Sequence, residues 1–207
     1  MQDNEAITEL HNKACYWFEQ YNMFDFAIGH ASAIQNHEKS IQLIGKVVEV
    51  MWEMGQHAAI LKYGEMLPDE LIKKNPDFCL YYAWILIAAG KIQKAEPFLV
   101  SAENIIEKLI NNDSSKEANQ YNKKLLGKIA VAFAYLNSHK EHSQKIFDYC
   151  KTAKENLSED DPFWCSWAWF SSGIAWFSKG DLFESNKAFN NAFEYGKKSG
   201  NIYLIST

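Results

Sequence analysis

Three features of the sequence predict an all-α chain, wound as a right-handed solenoid of tetratricopeptide-like helical hairpins. Apolar residues recur at three- and four-residue spacing along nearly the whole length, the signature of one-faced helices. Glycines punctuate that pattern at repeat-like intervals: Gly55 and Gly90 stand about one 34-residue repeat apart, and Gly90 to Gly180 fits two repeats plus an insertion. No stretch alternates apolar with polar residues long enough to read as a strand.

Taken in order, residues 4–35 form the first expected pair, with Leu10, Ala14, Trp17 and Phe18 on one helix, a turn at Tyr21-Asn22, and Phe26, Ala27, Ala31 and Ile34 on the other. The second pair, 37–67, carries Ile41, Ile44, Val48 and Met51-Trp52 before Gly55, then Ile60-Leu61 and Met66-Leu67. Pro68 opens a short extra helical turn. The third pair, 76–111, is the clearest. Asn75 is a natural N-cap, and Pro76 follows at the first helical position, where its missing N–H costs nothing. An apolar run from Phe78 to Ala89 ends at Gly90, suited to a left-handed C-cap. Asn112 to Ser115 reads as a loop, with Ser114 and Glu117 at capping-box spacing. The fourth pair, 115–157, turns at Asn137-Ser138-His139-Lys140 without a glycine. Asp161-Pro162 repeats the cap-then-proline signal and opens the fifth pair, 162–198, with Trp169, Gly173, Trp176, Gly180, Phe189 and Ala192 in the repeat slots. Gly173 is the small residue that lets its two helices approach. The five pairs make a single domain over 1–207. The apolar segment Asn201–Thr207 stops without the polar capping face a solenoid end needs, so the chain reads as a piece of a longer protein.

Composition narrows the function. A net charge of −5 argues against a broad nucleic-acid surface, so no direct nucleic-acid binding is expected. All 21 basic residues are lysine, which removes bidentate guanidinium recognition of phosphate, carboxylate or guanine. Cys15, Cys79, Cys150 and Cys165 form no C-x-x-C pair and read as buried free thiols in a reducing compartment. The acidic start MQDNEAITEL lacks a basic region followed by an apolar core, so a cytoplasmic protein is expected. Pro162 to Ser178 is uncharged over 17 residues, at the short edge of a membrane span, but four serines, a glycine and flanking charges favour a sandwiched solenoid helix.

Two stretches go beyond a generic repeat. Leu10-His11, Ala14, Trp17-Phe18-Glu19, Ala27-Ile28 and His30-Ala31 resemble the opening of the helical-repeat domain in MalT-like regulators, the large ATP-dependent LuxR-type transcription factors. The second stretch, 67–99, resembles that family's next landmark through Leu67-Pro68-Asp69, Pro76, Ala83-Trp84, Gly90 and Ala95-Glu96. The resemblance implies a ligand- or protein-sensing module whose effector shifts an equilibrium between a closed multidomain state and an open, oligomerising one. It implies a protein partner or small-molecule inducer, and oligomerisation in the full-length protein. The family's ATPase and DNA-binding domain are not expected here, since there is no G-x-x-x-x-G-K-[ST] loop and no basic helix-turn-helix. The chain departs from the family in lacking arginine, so contacts made by arginine do not transfer. The other reading is a free-standing adaptor that holds a peptide in its concave groove.

Candidate chemistry is sparse. His139 and His142, with Glu141 between, share a helix face, but an exposed turn with no third ligand is the simpler reading, and no metal or cofactor is expected. No nucleophile elbow or Ser/His/Asp arrangement appears, so no catalytic role is expected. Aromatic residues are the one excess. Trp169 and Trp176 read as core, whereas Trp84, Trp167 and Phe170 fall on the part of the first helix that lines the concave face of such repeats. There they either stack on a ligand or partner, or pack beneath the next repeat.

Overall fold

The computed structural model of the chain describes residues 2–112, 115–140 and 142–200. Helix accounts for 84% of these residues, and among them there is no strand. Eleven helices follow in order: α1 (Gln2–Gln20), α2 (Phe24–Ala33), α3 (His37–Glu53), α4 (His57–Met66), α5 (Asp69–Ile72), α6 (Pro76–Ala88), α7 (Ile92–Asn111), α8 (Lys116–Ser138), α9 (Ser143–Asn156), α10 (Pro162–Ser178) and α11 (Leu182–Ser199). They pack as neighbouring pairs: α1 on α2, α3 on α4, α6 on α7, α8 on α9 and α10 on α11. Within this series α3 also touches α6, α6 touches α8, and α8 touches α10, so the first helices of successive pairs form a continuous layer.

Local chemistry fixes the helix ends. The Asn75 side chain accepts from the Phe78 N–H at 2.9 Å, with Pro76 in the first turn. Asn36 caps α3 through the Lys39 N–H, and Asp181 caps α11 through the Glu184 N–H. Gly55, Gly90, Gly180 and Gly200 take positive φ in the turns that end helices. The cap of α8 is Ser115, which accepts from the Ala118 N–H; Ser114 lies outside the described residues, as does the segment 201–207. At α10 proline keeps its place, but the Asp161 side chain makes no cap bond. Its carboxylate instead meets Lys124 of α8 at 2.6 Å. A local string that caps one helix thus ties another to its neighbour.

The core runs from the first pair, through Cys15, Ala27, Ile28 and Ala31, to the fifth, and every residue of α6 from Phe78 to Ile87 is buried. Close approach is set by small residues. A Cβ on Gly173 would stand 2.7 Å from the Phe189 ring of α11, and Ser185 Oγ donates to the Gly173 carbonyl at 3.0 Å. A Cβ on Gly45 of α3 would collide with the Asn75 side chain that caps α6. Among the described residues, no helix is long and apolar enough to cross a membrane. The four cysteines are free; Cys15, Cys79 and Cys150 are buried, whereas Cys165 is half-buried rather than sealed in the core. Burial pushes the Cys150 thiol up to about 12, which keeps it protonated and unreactive at neutral pH.

Candidate functional site

The layer formed by α3, α6, α8 and α10 carries a groove of about 740 Å³. That volume lies within the ~300–1,000 Å³ range of ligand pockets. Its aromatic lining comes from Trp52 at the end of α3, Tyr81 of α6, and Phe163 and Trp164 in the first turn of α10. These aromatics come from three helices, because α3 reaches across to α10: Trp52 and Phe163 meet edge to face at 6.1 Å. His57 lies against the same indole at 4.4 Å.

Two ion pairs stand at the aromatic surface, beside Glu53, Asp160 and Lys198. Lys128 is buried, with 5% of its side chain exposed, and pairs with Glu49, which is 41% exposed. The same ammonium lies 3.4 Å from the Tyr81 hydroxyl and 5.8 Å from the centre of the Trp164 ring. A second pair, Lys124 to Asp161, closes the α8–α10 side, and the hydrogen bond to Asp161 holds the Lys124 ammonium above its ordinary value. Burial, reinforced by the Glu49 charge, raises the Tyr81 phenol, so it stays a neutral donor. Nearby, Tyr121 donates to Asp77, whose carboxyl is raised chiefly by burial. The groove therefore presents aromatic faces and neutralised ion pairs, a surface suited to an apolar or aromatic side chain with adjacent polar backbone.

The three aromatics singled out in the sequence part ways. Trp84 is 4% exposed and sits at the centre of a ring cluster, with Trp164 at 5.1 Å, Trp167 at 5.3 Å and Tyr135 at 5.4 Å. Rings of α8 and α10 close over it. Trp167 and Phe170 are half-buried and touch one another at 5.4 Å, and neither lines the groove. The Nε1 of Trp167 is buried without a hydrogen-bond partner among the described residues, as is Ser171 Oγ one turn on. Trp169 and Trp176, read as core, are half-buried: Trp169 lies under the Lys154 ammonium at 3.6 Å, and Trp176 against Phe147 at 4.6 Å. His139 and His142 stand at the exposed α8–α9 turn, and Glu141 lies outside the described residues. Among the described residues, no group of three or more His, Cys, Asp and Glu is placed to hold a metal ion.

Sequence reasoning missed Glu49, Trp52, Lys124, Lys128 and Phe163. One signal was available: Lys128 is the lone charge in the apolar run Leu125–Leu136, where a solvated lysine has no place. Nothing local announces that Glu49 answers it. Compared with models of known families, with characterised proteins and with solved structures, the chain matches none.

Proposed function

We propose that the chain is a binding module: a right-handed tetratricopeptide-like solenoid that takes a peptide or small inducer in its α3–α6–α8–α10 groove. In this reading it is the sensing module of a MalT-like LuxR-type regulator, and the groove is the effector site. The observation that carries it is the aromatic-lined groove itself, assembled from the first helices of four successive pairs. The contacts of α7 with α8 and α9 with α10 support the solenoid, since each second helix also leans on the next pair. The two landmark stretches at 10–44 and 67–99 support the regulator.

Two measurements test the parts separately. A peptide library selected on the chain should yield ligands that Trp52→Ala and Phe163→Ala weaken while circular dichroism stays unchanged; ligands indifferent to both substitutions would remove the groove from the proposal. The codons on either side of these 207 residues test the regulator. A phosphate-binding loop upstream and a helix-turn-helix downstream are expected, and a reading frame with neither would leave the adaptor reading.

A further inference from the structure

The first pair holds an arrangement that the groove does not use. His11 of α1 and His30 of α2 face each other with their Nδ1 atoms 2.9 Å apart, and the ring centres are 5.0 Å apart. Both residues are half-buried rather than sealed in the core. Phe18 stacks on His30 at 5.3 Å and on Phe26 at 5.1 Å, which limits the swing of the His30 ring. Two imidazoles from different helices are therefore held with their lone-pair edges converging, 19 residues apart in sequence.

We propose that His11 and His30 form a chelating pair for a late first-row divalent cation, with Ni(II) as the test ion. With metal–nitrogen bonds of about 2.0–2.1 Å, donors 2.9 Å apart subtend about 90° at a shared ion. That is the angle between neighbouring ligands in square-planar or octahedral coordination, the geometry favoured by Ni(II) and Cu(II). A tetrahedral Zn(II) site would want its donors about 3.3 Å apart. In the metal-free pair one Nδ1–H donates to the other Nδ1. On binding, that proton moves by tautomer exchange to Nε2 of the same ring, so both Nδ1 lone pairs reach the ion and the neutral pair releases no net proton. Water fills the remaining positions, because no third side-chain ligand joins the pair among the described residues. The ion then staples α1 to α2.

Titration calorimetry of the full, tag-free chain with NiCl₂ and separately with ZnCl₂ tests this. One Ni(II) per chain is expected, bound more tightly than Zn(II). His11→Ala and His30→Gln should each abolish the Ni(II) signal with an unchanged helical spectrum, while the double variant His139→Ala/His142→Ala retains it. Paramagnetic Ni(II) should broaden the ring protons of His11 and His30 before those of the other four histidines in the NMR spectrum. No binding by the wild-type chain, equal binding by the His11 and His30 variants, or first broadening at another histidine would each overturn the site.

Discussion

Helices α6 and α10 are written in nearly the same language and are buried in opposite ways. Each starts with a polar residue followed by proline, and each is apolar all round. In α6 the large residues are inside: Phe78, Tyr81, Tyr82, Trp84 and Leu86 are all buried. In α10 the buried positions are mostly small, Ser166, Ala168, Ser171, Ser172, Gly173 and Ala175, and several large rings are pushed outward, with Phe177 63% exposed. The difference lies in the neighbours. α6 is packed by α3, α4, α7 and α8, which fill space around big side chains, whereas α10 presses closely on α11 through Gly173 and spreads its rings to either side. Mean apolarity says that a helix is enclosed, but the size order of its residues says how near the enclosing helix comes.

The largest expected effect is at the centre of α6. Trp84→Ala empties a site ringed by aromatics and should cost about 3–5 kcal/mol in urea denaturation. Trp167→Ala on α10, half-exposed at the start, should cost clearly less. Equal costs would erase the contrast between the helices. The ion pair beside Tyr81 and Trp164 comes next, and it should be asymmetric. Glu49→Ala strands a buried ammonium and should cost about 3 kcal/mol. Lys128→Met leaves only a half-exposed carboxylate that water can take over, so its cost should stay below about 1.5 kcal/mol. Denaturation midpoints for the two variants measured side by side decide this; the reverse order would mean that Lys128 is solvated.

Gly173→Leu should cost about 1–3 kcal/mol by forcing α10 away from Phe189. An unchanged midpoint would show that the interface yields freely. The smallest effect has the opposite sign. Ser171→Ala removes a buried hydroxyl that has no partner among the described residues, and should be neutral or stabilising by up to about 1 kcal/mol. A loss of more than that in thermal denaturation would mean that the hydroxyl is satisfied.

The same pair of helices shows what sequence could and could not carry. Asn75-Pro76 and Gly90 were legible because a cap involves residues three apart and a left-handed turn involves one. Asp161-Pro162 has the same letters, yet its carboxylate goes to Lys124, a partner chosen by tertiary packing. The burial of Trp84 could not be read from spacing, since a helix apolar on every side has no period to show which face is inward. Glu49 and Lys128 lie 79 residues apart, and only the helix layer brings them together. His11 and His30 were visible as letters of a family pattern, but their convergence depends on how α1 and α2 cross.

The closeness of Gly45 to Asn75 has its own consequence. The side chain that starts α6 also occupies the space that any larger residue at position 45 would need. The end of one helix and the flank of another are thus a single lock across the second and third pairs. Such a lock couples α3 to the start of α6 and discourages the two helices from parting there. It also binds the two positions in their history: a side chain at 45 is tolerated only when 75 has already given up its role, so substitutions at these sites should arrive together or not at all.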